Sequence, residues 1–201
     1  MAKIFVIMGK SASGKDTIYK KLLENKELNL KNIVIYTTRP KREFETDGVE
    51  YNFVDEDTFR ELQSRNKIIE YRSYNTVQGI WYYFTVNDGQ IDLDNNDYLI
   101  IGTLQSYGQL RDYFGQDKVV PIYIEVDDGI RLMRALLREQ KREIPQYAEM
   151  CRRFLADCED FSEENIAAYG IKKRYRNTDI DKCVQEIIAD IKYYAGHKDI
   201  I

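Results

Sequence analysis

The chain has 201 residues, enough for one buried core with inserted units, and its net charge is −4. This acidic balance does not favour an extended nucleic-acid surface, so we expect no nucleic-acid partner. No apolar run approaches the roughly 18 residues of a membrane-spanning helix, so we expect no membrane association. An odd number of cysteines without C-x-x-C spacing indicates reduced thiols and a cytoplasmic protein. The one histidine, His197, nearly excludes chemistry that needs a histidine base.

The first motif is a glycine-rich loop between an apolar strand, Ile4–Met8, and a helix predicted at about 14–26. Its G-x-x-x-x-G-K spacing is typical of loops whose backbone N–H groups surround a phosphate chain, with the lysine reaching the outer phosphates. We therefore predict a nucleoside triphosphate site. The residues expected to line it are Gly9, Ser11, Ala12, Ser13, Gly14, Lys15, Asp16 and Thr17.

Asp16 stands where such loops usually carry a hydroxyl that ligates magnesium. A carboxylate can meet Mg²⁺, usually through water, so Asp16 is the candidate metal ligand. This departure favours a small-molecule kinase over a switch-type GTPase.

The remaining elements predict an α/β fold. Apolar strands are expected at Ile4–Met8, Ile33–Tyr36, Tyr98–Gly102 and Val119–Val126. Helices are expected at about 104–114, 128–141, 146–158 and 180–194. The alternation predicts a three-layer core with a parallel sheet. Residues 37–95 interrupt this alternation of strands and helices. Short strands are expected at Ile68–Tyr74 and Ile80–Val86, and a helix is expected to begin near Asp55. This pattern predicts a small mixed β insert. We divide the chain into a core (1–36, 96–137 and 156–201), this insert (37–95) and a helical lid (138–155).

Arg39 and Arg42 follow the second strand and can converge on one anion, with the Tyr51 hydroxyl nearby. A solvated basic turn would be the commoner explanation for such a pair alone. On a chain that also carries a phosphate loop, a second phosphate site is the better hypothesis.

Further arginines follow on two later helices. They are Arg131, Arg134, Arg138, Arg142, Arg152 and Arg153. The first three share one helical face, and arginines on a closing lid can neutralise a phosphoryl group during transfer. The alternative is a solvated basic face paired with nearby glutamates, which we expect for Arg131 and Arg152.

These motifs resemble the guanylate kinase family, of which the chain looks like a divergent member. The resemblance lies in the strand–loop–helix start, the T-T-R-x-x-R stretch at 37–42 and the D-G-x-x-Y-x-F segment at 47–53. It implies an enzyme that uses ATP and Mg²⁺ to phosphorylate a nucleoside monophosphate, with GMP favoured, so the partners would be small-molecule nucleotides. Alternatives are a kinase for another phosphorylated small molecule and a non-catalytic guanylate-kinase-like binding module, which the intact loop and arginines disfavour.

The resemblance also implies roles for individual residues. The acceptor monophosphate would be bound by Arg39, Arg42, Tyr51, Glu70, Tyr82 and Thr103. The catalytic groups would be Lys15, Arg134, Arg138 and Arg153. Glu70 corresponds to a carboxylate on the guanine ring, Tyr82 to a phosphate-contacting tyrosine, and Asn177 to a residue near the donor adenine. A capping role in the segment 177–179 is the alternative for Asn177.

Two departures concern base recognition. The family pattern G-x-Y-Y-G-[ST] ends here in Tyr82-Tyr83-Phe84, which we expect to remove a hydroxyl aimed at the base. Thr103 stands where an Asp-x-Asp pair is usual and cannot supply its charge.

Overall fold

A computed structural model describes residues 2–76 and 79–196, which form an α/β fold with two sheets. His197 lies outside the described residues. The strands are β1 (Ile4–Met8), β2 (Lys31–Asn32), β3 (Tyr36–Thr37), β4 (Asn52–Phe53), β5 (Ile68–Thr76), β6 (Gly79–Val86), β7 (Tyr98–Ile101), β8 (Val119–Glu125) and β9 (Arg174–Arg176). The helices are α1 (Lys15–Glu24), α2 (Glu56–Ser64), α3 (Leu104–Phe114), α4 (Asp128–Gln140), α5 (Tyr147–Asp160), α6 (Glu163–Ala168) and α7 (Ile180–Tyr194).

The core sheet is parallel, in the order β2-β7-β1-β8-β9. Its central strand β1 is apolar at every position and fully buried, as expected for a strand covered on both faces. Ile18 of α1 and Ile187 of α7 pack on one face, and Leu110 of α3 and Ile166 of α6 pack on the other. The predicted three-layer core is therefore confirmed.

The second sheet is mixed, in the order β4-β3-β6-β5, and most of it is the antiparallel hairpin β5–β6. Helix α2 covers one face by packing Phe59 on Phe84. Asp55 caps this helix by accepting from the Thr58 N–H. The predicted mixed β character of this region is confirmed.

The strand predicted at Ile33–Tyr36 is wrong as one element. The chain pairs with the core sheet only at β2, crosses residues 33–35 without strand pairing, and enters the second sheet at β3. Ile33 and Ile35 are buried all the same. Burial therefore produced a strand-like pattern in a segment that passes between two sheets. Strand β4 and helix α6 were not predicted.

The carboxyl ends of the parallel strands form one edge, where ligands bind in open α/β folds. Gly9, Gly102 and Asn177 lie directly after β1, β7 and β9 at this edge. The second sheet is attached nearby, because the Gln109 side chain of α3 donates to and accepts from the backbone of Tyr71 on β5, at 3.0 Å each way. No helix in the described part of the chain is both long and apolar enough to cross a membrane.

Candidate active site

The glycine-rich loop has a backbone that only certain residues permit. Gly14 has φ +86°, and a Cβ there would lie 2.4 Å from Asn177 Nδ2. Ala12 also has a positive φ, 62°, which is uncommon outside glycine. The side-chain hydroxyl of Ser13 is buried and has no hydrogen-bond partner among the described residues. An unsatisfied polar group inside a tightly turned loop fits a site built to receive a polar ligand.

Asn177 fastens this loop to the end of β9. Its side-chain amide donates to the Ser13 carbonyl at 2.8 Å, and its backbone N–H donates to the Glu125 carbonyl at 2.9 Å. The residue is 3% exposed. The side chain therefore has a structural role, and contact with adenine stays a prediction. The alternative of a cap in this segment is confirmed at Asp179, which caps α7.

Lys15 begins α1 and lies between carboxylates and arginines. Burial lowers its pKa, Asp16 and Asp157 oppose this shift, and Arg153 and Arg138 add to it. The charges of Arg153 and Arg138 therefore reach the Lys15 ammonium group. Asp16 and Thr17 are exposed at the helix start. Among the described residues no group of three or more His, Cys, Asp or Glu side chains is arranged to hold a metal ion.

Asp157 of α5 is a site residue that the sequence analysis missed. Its Oδ2 accepts a hydrogen bond from the Ser11 N–H at 2.7 Å. A carboxylate thus occupies one of the loop donors expected to bind phosphate. In the sequence Asp157 lies among other acidic residues of an amphipathic helix, and no spacing distinguishes it.

Arg131 was expected to be solvated, and that prediction is wrong. Its side chain is 1% exposed. It donates to Asp128 Oδ1 at 2.8 Å and to the Ser11 carbonyl at 3.2 Å, and it lies 3.6 Å from Asp157. Its guanidinium also lies over the Phe154 ring. Arg131 therefore joins α4, α5 and the loop, because α5 packs over the helical face that the sequence suggested was open.

The other arginines differ in their surroundings, and only the surface pairing expected for Arg152 is confirmed. Arg152 pairs with Glu149 on the surface, at 2.7 Å. Arg138 and Arg153 are exposed and line a cavity of about 50 Å³ together with Ser11. Arg134 donates to the Asn177 carbonyl at 3.3 Å. Arg134, Arg138 and Arg153 thus lie near the loop or the residue that fastens it, and their role in transfer stays a prediction.

In the second sheet, Arg39 is held by a carboxylate. Its two terminal nitrogens donate to Glu45 at 3.0 and 2.7 Å, and its guanidinium lies 5.4 Å from the centre of the Tyr51 ring. Glu45 also accepts from the Arg42 backbone N–H at 2.8 Å, while the Arg42 side chain is exposed. Arg39 and Tyr51 are therefore brought together, and Arg42 joins them through its backbone at Glu45, a residue that the sequence did not single out. Binding of one anion by these residues stays a prediction.

The expected role of Tyr82 requires a correction. Its ring stacks on Phe59 with centroids 4.1 Å apart, on the α2 face of the sheet. Tyr83 faces the other way and contacts Tyr51 edge-on at 5.7 Å. Successive strand residues point to opposite faces, so the tyrosine next to the arginine clamp is Tyr83.

The same one-residue shift restores a hydroxyl. Thr85 follows Tyr83-Phe84, in the place where the family pattern has Ser or Thr, and its hydroxyl donates to Glu70 Oε1 at 2.8 Å. The expected loss of this group is therefore wrong. Phe84 stands in the glycine position and is fully buried against α2.

Glu70 is 1% exposed, on the same face as Tyr83. Burial raises its pKa, while Arg72 and Thr85 oppose the shift. Arg72, which the sequence analysis also missed, lies 3.3 Å from Glu70. Thr103 has a structural role, because its hydroxyl accepts a hydrogen bond from the Ser106 N–H and caps α3. Contact between Thr103 and an acceptor stays a prediction.

Comparisons with known proteins agree with this geometry. The family model described as guanylate kinase matches residues 1–162. A guanylate kinase from Porphyromonas gingivalis is 28% identical over 190 residues, covering 93% of this chain and 95% of the relative. One from Mycoplasmoides gallisepticum is 27% identical over 190 residues, covering 94% of this chain and 89% of the relative.

The fold has a solved counterpart. The crystal structure of guanylate kinase from Anaplasma phagocytophilum superposes with a TM-score of 0.65 at 23% identity, covering 96% of this chain and 86% of that one. At this identity the likeness concerns the fold alone. The family model, however, matches well over half of the chain, and the chain belongs to the guanylate kinase family.

Proposed function

We propose that the protein transfers the γ-phosphoryl group of ATP to GMP. Family membership supports the reaction type, and the site supports the placement of two anions. The observation that carries the proposal is the buried carboxylate of Glu70, which lies with Arg72 and Tyr83 on one face of the hairpin. Tyr83 contacts Tyr51, and the Arg39 guanidinium lies over the Tyr51 ring, so the proposed base site and phosphate clamp share this face.

In this proposal Lys15, Arg134, Arg138 and Arg153 stabilise the charge on the phosphoryl group in flight, which needs no histidine or covalent intermediate. The glycine-rich loop binds the triphosphate. Mg²⁺ would neutralise charge on the phosphates, and it would enter with the nucleotide, with Asp16, exposed at the start of α1, as the candidate ligand.

Arg39, Arg42, Tyr51 and Tyr83 would hold the acceptor phosphate, and Glu70 would bind the base. We assign these acceptor functions to the insert (37–95) and the functions of Arg138 and Arg153 to the lid (138–155), while Arg134 belongs to the core. A cytoplasmic location and small-molecule nucleotides as partners, without nucleic acid or membrane, complete the proposal.

A monophosphate panel tests the assignment. ADP release is measured by a coupled assay with GMP, dGMP, AMP, UMP, CMP and a sugar phosphate. We expect the highest kcat/KM with GMP. Turnover with another member and none with GMP would reject the guanine assignment, and no turnover with any member would favour a binding module. Lys15→Ala should abolish turnover with every acceptor that the wild type phosphorylates.

A further inference from the structure

Two oppositely charged side chains lie next to each other on the acceptor face of the hairpin. Glu70 and Arg72 are two residues apart on β5 and therefore point to the same side. Arg72 Nη1 lies 3.3 Å from Glu70 Oε2 and 3.5 Å from Oε1. The Arg72 side chain is 11% exposed. A buried arginine at this position needs an explanation.

The surroundings of Arg72 place it between the base site and the phosphate clamp. Its guanidinium carbon lies 5.9 Å from the centre of the Tyr83 ring. Tyr83 in turn contacts Tyr51, and the Arg39 guanidinium lies over the Tyr51 ring. Arg72 therefore belongs to the same surface as the residues proposed to bind the acceptor.

Stability does not account for this pair. Charge-assisted hydrogen bonds between Arg and carboxylate are usually about 2.7–2.9 Å long, and those between Arg72 and Glu70 are longer. A buried ion pair rarely adds stability over an apolar pair of similar size. Both contacts with Glu70 use Nη1, and the Tyr74 hydroxyl accepts a further hydrogen bond from Arg72. A guanidinium has five N–H donors, so donors remain for another group. The arrangement leaves both partners with capacity to bind a third group.

Guanine has the complementary edge. It presents two N–H donors, N1 and the N2 amino group, followed by two acceptors, O6 and N7. An ionised Glu70 accepts from the donors, and an arginine fork binds O6 and N7 in a bidentate manner. Adenine would instead direct the acceptor N1 toward Glu70, which has no proton to offer while ionised.

We infer that Arg72 is a base-recognition residue of this chain, which binds O6 and N7 of an acceptor guanine beside Glu70. The inference rests on the proposed function and adds to it a second guanine contact. It also accounts for the absence of a carboxylate at Thr103, whose hydroxyl caps α3. The base site then combines one negative and one positive side chain instead of several carboxylates.

The test compares GMP with 7-deaza-GMP, which lacks only the N7 acceptor. Dissociation constants are measured by calorimetry for the wild type, Arg72→Met and the control Arg65→Met. Arg65 is an exposed arginine that pairs with Glu61 of α2 and has no proposed role in binding. Thermal unfolding verifies that each variant is folded.

We expect the wild type and Arg65→Met to bind 7-deaza-GMP about tenfold more weakly than GMP, as loss of one bond of a bidentate pair predicts. In Arg72→Met the difference should fall within about twofold. Equal affinity of the wild type for both ligands would overturn the inference, even if the variant does not fold. An equal weakening of both ligands by Arg72→Met, with the wild-type ratio kept, would also overturn it and leave Arg72 as a counter-ion of Glu70.

This outcome is separate from that of the proposed function. If the wild type neither binds nor phosphorylates GMP in the monophosphate panel, the proposed function itself is rejected. If GMP is the preferred acceptor and N7 has no effect, only the role of Arg72 is rejected.

Discussion

Glu70 combines full burial with a charge that guanine binding requires. Its carboxylate accepts from Thr85 and lies beside Arg72, on the acceptor face of the hairpin. Burial disfavours the ionised form, so this residue links base recognition to protonation.

Glu70→Gln tests the base contact. The amide keeps an oxygen for Thr85 but can accept only one of the two guanine N–H bonds and has no charge. We expect kcat/KM for GMP to fall about 10- to 100-fold, as for loss of a hydrogen bond to a charged group. Glu56→Gln, an exposed glutamate paired with Arg60, should leave it unchanged. An equal effect of both substitutions would remove Glu70 from the base site.

The pKa of Glu70 predicts a pH dependence. Burial raises this pKa, so the KM for GMP should begin to increase on acidification at a higher pH than an exposed glutamate would cause. Arg72 lowers the same pKa, so Arg72→Met should move this limb to higher pH. The raised pKa also has a consequence for stability. The protonated form of Glu70 is the one that burial favours, so the free energy of unfolding should decrease as pH rises through the folded-state pKa of Glu70. The measurement is the KM for GMP as a function of pH in the wild type and in Glu70→Gln, which controls for titration of the GMP phosphate. Identical pH profiles of KM in the wild type and Glu70→Gln would contradict this role.

At this scale the structure places Arg39 beside Tyr51 and Glu70 on the same face as Tyr83, while the binding of an acceptor by these residues stays a prediction. The sequence-based prediction failed at Tyr82, because a one-residue shift in a strand moves a side chain to the other face. The alternation of Tyr82 and Tyr83 along β6 is regular, so the error lies in aligning the family pattern one residue too early.

At the scale of elements, the loop depends on its contacts with α4 and α5. Arg131 donates to the Ser11 carbonyl from α4, and Asp157 accepts from the Ser11 N–H from α5. Sequence periodicity predicted both helices but not the way in which they pack on the loop. The expected exposure of Arg131 followed from its position on a face with other arginines.

Arg131→Leu and Arg152→Leu form a matched pair for this packing. Loss of Arg131 leaves Asp128 and Asp157 without their buried partner, so the free energy of unfolding should fall by about 3 kcal/mol. Loss of Arg152 breaks only a surface pair, and the change should stay within about 0.5 kcal/mol. Urea unfolding measures both. Equal effects would mean that Arg131 is solvated after all.

Asp157 predicts a change in nucleotide affinity. Its negative charge lies where the loop is proposed to receive phosphate, close to Lys15. Asp157→Asn removes that charge, so ADP should bind about tenfold more tightly in calorimetry. Glu159→Gln, an exposed neighbour on α5, should have no effect. Weaker binding by Asp157→Asn would show that the carboxylate helps to hold the nucleotide or its metal ion.

At the scale of the whole molecule, the alternation of strands and helices was sufficient to predict a parallel core and a mixed insert. The break at residues 33–35 was not predictable, because apolar residues are buried there between two sheets and not within one. The loop and the arginines of α4 and α5 are distant in sequence. The fold brings them together at the carboxyl edge of the parallel sheet, where Ser11 contacts both Arg131 and Asp157.

Direct transfer of label from ATP provides the decisive measurement. The wild type is incubated with γ-labelled ATP, Mg²⁺ and GMP, and the products are separated by chromatography. Label should appear in GDP, with one ADP formed for each GDP, and Lys15→Ala should give none. Label found only in inorganic phosphate, or in the diphosphate of another base when GMP competes, would contradict phosphoryl transfer between ATP and GMP.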